Sequence, residues 1–215
     1  MNLVFLGGPG AGKGTQAKEL ATEYSWAHIS TGDLLRGALA AGTELGKKAE
    51  EHMSRGTLVP DNLMCDLVAE RLGQDDCKEG WILDGFPRTH VQADALNKTL
   101  NAMEIELDAV LFFSIDEDVL VERLTGRLTC KNCGAIYHRK NMPPAVEGVC
   151  DSCKGPLYQR SDDNETAVRN RLEVYKNLTA DLVAFYEDED LLRRVAAEGT
   201  LEEVATRVAA ALADS

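Results

Sequence analysis

Long apolar runs are missing from this sequence. No stretch of 18 or more apolar residues occurs in its 215 positions, which excludes a transmembrane helix. A basic leader is missing too. Met1-Asn2-Leu3-Val4-Phe5-Leu6 carries no lysine or arginine and runs straight into a glycine loop. It reads as a first core strand, not a signal peptide, and places the protein in the cytoplasm. Positive charge is in deficit: 23 Lys and Arg stand against 36 Asp and Glu, a net charge of −13. Nucleic acid and anionic membrane surfaces demand a basic face, so neither is expected as a partner. An acidic chain can still hold a polyanion where its few cations gather. Repeats and low-complexity tracts are lacking as well. The hydrophobic fraction, 44%, is that of a globular protein, and the length suits one main domain with an inserted subdomain.

What is present alternates. Short apolar runs at 3–6, 27–29, 81–83, 109–113 and 191–195 read as strands. Helical patterns at 13–24, 34–41, 45–53, 62–72, 90–100, 118–125, 165–186 and 201–212 lie between and after them, with Asp61 expected as an N-cap. Strands alternating with helices imply an α/β fold with a parallel sheet covered on both faces. Residues 127–160 break the rhythm. They hold Pro143-Pro144 and several glycines, have no helical period, and read as an inserted, metal-stapled subdomain.

Two motifs carry explicit chemistry. Gly7-Gly8-Pro9-Gly10-Ala11-Gly12-Lys13-Gly14-Thr15 approximates the P-loop pattern, with Gly14 inserted between the lysine and the threonine. Its glycines let backbone N–H groups turn inward around a phosphate chain, and the helix that follows adds partial positive charge. Lys13 supplies a full charge, and Thr15 stands within reach of a magnesium ion. The second motif is Cys130-Lys131-Asn132-Cys133, then a gap of sixteen residues, then Cys150-Asp151-Ser152-Cys153. Two C-x-x-C pairs at this spacing are a strong tetrahedral metal signature, and thiolates favour zinc while still admitting iron or cobalt. Four thiols leave no open position, so the metal is structural. A zinc-ribbon nucleic-acid module is the alternative, and the acidic composition opposes it. His138 is a weaker ligand candidate. Cys65 and Cys77 stand apart and read as packing.

A P-loop alone does not separate kinases from switches or motors. Three further segments do: Ser30-Thr31-Gly32-Asp33-Leu34-Leu35-Arg36, Gly56-Thr57-Leu58-Val59-Pro60, and Asp84-Gly85-Phe86-Pro87-Arg88-Thr89 with Gln92 beyond it. With them the chain resembles the adenylate kinases over essentially its whole length, in the bacterial form with a long lid. Arginine offers a planar fork of donors that suits phosphate, and glutamine pairs bidentately with an adenine edge. Taken singly, Arg36 or Gln92 would read as a solvated surface residue; their joint order is what counts.

The resemblance implies the nucleoside monophosphate kinase fold, a five-stranded parallel sheet flanked by helices. It implies a core of 1–29, 60–126 and 161–215, an AMP-binding helical subdomain at 30–59, and a zinc-ribbon-like lid at 127–160. ATP, AMP and ADP would be the ligands, with magnesium and one structural zinc, in a monomer. ATP would meet Gly10, Ala11, Gly12, Lys13, Gly14, Thr15, Arg123, Arg127, Ile136, Tyr137 and Gly199. AMP would meet Thr31, Arg36, Thr57, Leu58, Val59, Gly85, Phe86, Pro87, Arg88, Gln92, Arg160 and Arg171. Lys13, Arg88, Arg123, Arg160 and Arg171 would serve the transferred phosphoryl group. Asp84 would act on magnesium or fix its loop, and Asp162 and Asp163 would orient arginines. Arg169, two from Arg171, faces elsewhere on its helix and reads as half of a surface ion pair. Gly126 and Gly199 are candidate flexible points. Arg123 and Arg127, four apart, share a helical face if the helix persists. Lys154 departs from the family pattern, where glycine follows the last cysteine at a positive-φ position. Another monophosphate kinase, acting on UMP, CMP or GMP, is the nearest rival; a nucleotide-driven switch with a zinc ribbon is the rival from another class.

Overall fold

The computed structural model describes residues 1–213; positions 214 and 215 of the expected core range lie outside them. The chain runs β1 (Asn2–Gly7), α1 (Lys13–Tyr24), β2 (Ala27–Ser30), α2 (Thr31–Ala40), α3 (Glu44–Arg55), α4 (Asp61–Leu72), β3 (Trp81–Asp84), α5 (His90–Met103), β4 (Ala109–Ser114) and α6 (Glu117–Thr125). It continues through β5 (Arg127–Cys130), β6 (Ile136–His138), β7 (Leu157–Tyr158), α7 (Glu165–Leu178), α8 (Leu182–Asp188), β8 (Leu192–Ala196) and α9 (Leu201–Ala213). Among the described residues no helix is long and apolar enough to cross a membrane.

Five strands form one parallel sheet in the order β2-β3-β1-β4-β8. Its central strands are apolar without a break because both faces are covered. Alternate residues of β1 enter different cores. Val4 and Leu6 pack with Leu83, Val110, Leu96 and Tyr186. Leu3 and Phe5 pack with Ile82, Leu111, Leu172 and Val208. The covered sheet leaves its carboxyl ends as the open edge where ligands settle in α/β folds, and Gly7, Ser30 and Asp84 all sit there. Residues 127–158 form a separate antiparallel sheet, β6-β5-β7.

Three expected boundaries fall elsewhere, each for a reason written in the hydrogen bonds. α2 begins at Thr31, three residues early, because the Ser30 hydroxyl accepts from the Asp33 N–H and caps it. Asp61 is not an N-cap. It is the first residue of α4, after Pro60, and its carboxylate is taken by Gln92. The single long helix over 165–186 is two helices. Between them the Thr179 hydroxyl donates to the Arg88 carbonyl at 2.8 Å. The N–H groups of Thr179 and Ala180 both donate to Tyr175 O, which ends α7 in a widened, π-type turn. Arg123 and Arg127 likewise share no helical face, since α6 stops at Thr125 and Arg127 opens β5.

Candidate active site and cysteine knuckle

The start of α1 differs from the other helix starts near it. Helices α2, α3, α5, α6 and α7 are each capped by a side chain. α1 is not: its N-cap is Gly12, no side chain accepts its first N–H groups, and no acid lies in its first turn. A helix left open in this way presents donors and partial positive charge to an anion. Gly14, the residue that interrupts the P-loop pattern, has a reason to be glycine: a Cβ there would stand 2.9 Å from Asp84 Oδ2. Glycine lets a carboxylate from β3 reach the foot of the phosphate loop.

One cavity of about 800 Å³ opens at this edge. Lys13, Arg36, Arg88, Arg123, Arg127, Arg160 and Arg171 all line it, against the acids Asp33, Asp84, Asp162 and Glu202. In a chain of net charge −13 this is a concentrated reversal of sign. Some of these cations are paired. Arg36 binds Asp33 at 2.6 Å. Arg127 clasps Asp163 through two nitrogens, and Arg171 reaches Asp162 Oδ2 at 3.0 Å and Asp163 Oδ1 at 3.4 Å. Asp162 and Asp163 thus orient arginines, as expected. Arg160 donates to Thr129 and approaches Asp33 at 3.8 Å. Three others meet only carbonyl oxygens among the described residues. Lys13 Nζ donates to Gly7 O at 2.8 Å and Gly8 O at 2.9 Å. Arg88 Nε donates to Gly85 O at 2.8 Å, and Arg123 donates to Ala197 O at 3.2 Å.

The titration of these groups reports the same crowding. Burial, reinforced by Arg88, Arg171 and Arg127, lowers Lys13 to about 8 against the pull of Asp84. Burial lowers Arg171 and Arg160 to about 10 each, with Arg127 lowering both further. Burial would raise Asp84, but His28 and Lys13 beside it hold it below the ordinary carboxylate range. Its nearest basic atom, His28 Nε2, is 3.8 Å away, too far for a hydrogen bond. An ionised carboxylate that accepts no hydrogen bond among the described residues fits a divalent cation. Asp84 and Thr15, which also lines the cavity, are the residues that would hold magnesium.

Thr31, Thr57, Leu58, Val59, Gly85, Pro87, Arg88 and Gln92 also line the cavity. Thr31 is 1% exposed, and its hydroxyl donates to Gly85 O at 3.0 Å. Gly85, at φ +83°, would place a Cβ 3.0 Å from both Arg88 Nη2 and Thr31 Oγ1; only glycine fits. Ile136, Tyr137 and Gly199 line the same cavity with Arg123 and Arg127, as do Gly10, Ala11, Gly12 and Gly14. One residue sits differently from expectation, and a second does more than expected. Phe86 is 1% exposed and packs in the core, so it supports the loop instead of facing the cavity. Tyr137 aims its hydroxyl into the cysteine knuckle, where it lies 3.5 Å from Cys150 Sγ and accepts from the Asp151 N–H at 2.8 Å. Gly126 has a steric reason to be glycine: a Cβ there would strike the His138 ring at 2.2 Å. Arg169 pairs with Glu165 on the surface, as read from its spacing.

The sulfurs of Cys130, Cys133, Cys150 and Cys153 all lie within 4.8 Å of one another. Cys130 and Cys153 are 3.4 Å apart, Cys133 and Cys150 3.6 Å. Four thiolates at about 2.3 Å from one zinc ion have edges of this size. The Tyr137 hydroxyl draws Cys150 down to about 6. The Gly155 N–H favours the Cys153 thiolate, yet bonds to the Cys133 and Cys130 sulfurs push that thiol up to about 12. Four such thiols ionise together only around a cation. The donor set therefore fits a structural zinc. His138 is not a ligand: its Nε2 faces the Glu122 carbonyl and its Nδ1 accepts from the N–H groups of Lys140 and Asn141. Lys154 does adopt the left-handed conformation at φ +60° that its position requires.

Several residues here take roles that the sequence did not assign them. Lys18 donates to Gly134 O at 2.7 Å, tying α1 to the first knuckle. Asp33 stands between Arg36 and Arg160, and Asp61 holds Gln92. Asp33 lay inside a quoted motif, one turn before Arg36, where an i,i+3 pair was readable. The partners of Lys18 and Asp61 lie 116 and 31 positions away, and no local spacing signals them.

An open helix N-terminus, a cation-lined cavity at the carboxyl edge of a parallel sheet and a four-cysteine cluster in a separate small sheet mark a P-loop phosphotransferase of the nucleoside monophosphate kinase type. Comparison with known proteins narrows this. The adenylate kinase family model matches residues 5–191. The chain is 52% identical over 212 residues to the adenylate kinase of Thermodesulfovibrio yellowstonii, covering 99% of each chain. It is 52% identical over 204 residues to that of a Geobacillus species, covering 95% of this chain and 94% of the other. With the adenylate kinase of Archaeoglobus fulgidus it shares 50% over 212 residues, covering 99% and 98%. The chain belongs to the adenylate kinase family.

Proposed function

We propose that this chain catalyses reversible transfer of the terminal phosphoryl group of ATP to AMP, giving two ADP. The observation that carries this is a set of cations, Lys13, Arg88 and Arg123, that have no carboxylate partner among the described residues and line one cavity together with the Gly10–Thr15 loop and the residues Thr31, Gly85 and Gln92. ATP would lie over Gly10–Thr15 with its base toward Ile136, Tyr137 and Gly199. AMP would lie against Thr31, Thr57, Leu58, Val59, Gly85 and Gln92, with Arg36 and Arg88 on its phosphate. Arg160 and Arg171 would stand between the phosphate tails. Residues 30–59 and 127–160 would move as two units against a core of the remaining chain. A cytoplasmic monomer without nucleic-acid or membrane partners completes the reading.

Charge explains the mechanism. The transferred group passes through a loose state with negative charge spread over its oxygens. Lys13 and the arginines offset that charge in a site closed to water, so the chain contributes position and electrostatics. No base is needed, because the acceptor oxygen of AMP is already ionised. Magnesium, when bound near Asp84 and Thr15, supplies further charge neutralisation of the ATP phosphates. Residues 127–160 and 30–59 exclude water that would otherwise hydrolyse ATP. Zinc on the four cysteines takes no part in the step.

The test is a panel. The protein is mixed with ATP, magnesium and each of AMP, UMP, CMP and GMP, and the diphosphate formed is measured. Rapid ADP formation with AMP supports the reading. Preference for another monophosphate, or ATP binding without any acceptor, would sink it.

A pH effect follows from Lys13. Free, it titrates near 8; phosphate oxygens beside it raise that value. Between the free and bound values, binding takes up a proton. ATP affinity is therefore expected to fall as pH rises above about 8. Calorimetry at pH ~9 in two buffers of different ionisation enthalpy should show proton uptake, which shrinks at pH ~6.5, where Lys13 is already protonated.

A further inference from the structure

Gln92 is 2% exposed and lines the cavity. Both ends of its amide are held. Its Oε1 accepts from the Arg88 N–H at 2.8 Å, and its Nε2 donates to Asp61 Oδ1 at 2.7 Å. A backbone N–H only donates and a carboxylate only accepts. The amide is therefore fixed in one orientation. The flipped form would set NH₂ against N–H and oxygen against carboxylate. One N–H of Nε2 and one lone pair of Oε1 remain for a ligand.

The order of that remaining pair matters. Adenine carries a donor on its 6-substituent and an acceptor at N1. A 6-oxopurine carries the reverse, an acceptor at O6 and a donor at N1. An amide free to turn over would serve either base. An amide locked from behind serves one. We infer that Asp61 is a specificity-determining positioning residue, which holds Gln92 in the orientation that accepts an aminopurine monophosphate and rejects a 6-oxopurine one. Asp61 acts through Gln92 and does not touch the base. The inference deepens the proposed function and rests on Gln92 facing the base of the monophosphate.

Sequence alone gave Asp61 only a capping role. Its actual bond spans from the start of α4 to α5, so the lock is made by packing two helices together. Asparagine is nearly isosteric with aspartate but also donates. In Asp61→Asn the carboxylate's veto on the flipped amide disappears, while the Arg88 N–H still opposes it.

The experiment compares kcat/KM for AMP and for inosine monophosphate, which differs from AMP only at the 6- and 1-positions. Wild type, Asp61→Asn and Gln92→Ala are measured, with melting temperatures. Asp61→Asn is expected to lower the AMP-to-inosine-monophosphate ratio about tenfold, the discrimination typical of one paired polar contact. Asp61→Ser, which keeps a small polar group at the start of α4, carries the same expectation should the first variant fold poorly. An unchanged ratio in Asp61→Asn with a lowered ratio in Gln92→Ala would overturn the lock and leave the base reading standing. An unchanged ratio in both would remove Gln92 from the base, and the inference with it. Equal loss for both substrates together with a lower melting temperature would make Asp61 merely structural, against the inference.

Discussion

Arg88→Ala is expected to lower kcat about 10²–10³-fold, the size of other preorganised contacts to a developing charge. The local fold should survive the change, because separate bonds hold the backbone there. The Arg88 N–H donates to Gln92, and the Arg88 carbonyl accepts from Thr179. Of the side chain, Nε donates to Gly85 O at 2.8 Å; among the described residues the guanidinium meets no carboxylate within 4 Å. It is a half-buried cation awaiting an anion, and desolvation pulls its pKa below the usual arginine value. An unpaired, partly desolvated charge destabilises the free protein. Removing it should therefore leave the melting temperature unchanged or raise it, while turnover collapses. Arg88→Lys should restore little, since a point charge lacks the fork that spans two phosphate oxygens. A coupled assay reads the rates, and near-normal turnover in Arg88→Ala would take this residue out of the site.

How legible these features were in the sequence depends on how local their causes are. β1, α1 and the glycine loop were readable because an apolar run, a glycine cluster and a helical period follow one another within 24 residues. The cysteine set was readable because metal geometry imposes its spacing on the chain. The place where α7 ends was not. Residues after Leu178 keep a helical pattern, and the break depends on the Arg88 carbonyl 91 positions away. Phe86 sits between two cavity residues, Gly85 and Pro87, and only the packed core tells that its ring turns inward. Tyr137 reads as a wall of the cavity and is one, but its hydroxyl serves the knuckle behind. Asp61 reads as a cap because caps are local, whereas its real partner lies on the next helix. Motif order therefore conveyed which residues assemble. It did not convey which face of a residue does the work, since that is decided by contacts between distant segments.

Chelation of the metal, or Cys150→Ser, is expected to lower the melting temperature by about 10 °C or more and to leave turnover at low temperature within several-fold of wild type. The reason is the size of the core under the antiparallel sheet. Its buried apolar members are Cys130, Tyr137 and Cys150, backed by the partly buried Leu128, Ala135 and Leu157. Two of these, Cys130 and Cys150, belong to the cysteine set that would hold the metal. The three strands hold four, three and two residues. A unit that small does not stabilise itself by apolar burial, and a structural metal supplies the missing folding energy. Loss of several kcal/mol in a chain of this length corresponds to the shift given, at about 2–4 °C per kcal/mol. Activity in the cold should persist because Lys13, Arg88 and Arg171 stand outside β5–β7, and Arg127 remains tied to Asp163 beyond it. Scanning calorimetry with parallel rates at about 10 °C and near the wild-type optimum separates the two roles. If activity vanished in the cold along with the metal while melting stayed put, the metal would be doing chemistry, and the four thiolates would have to leave it a position that their closed set does not offer.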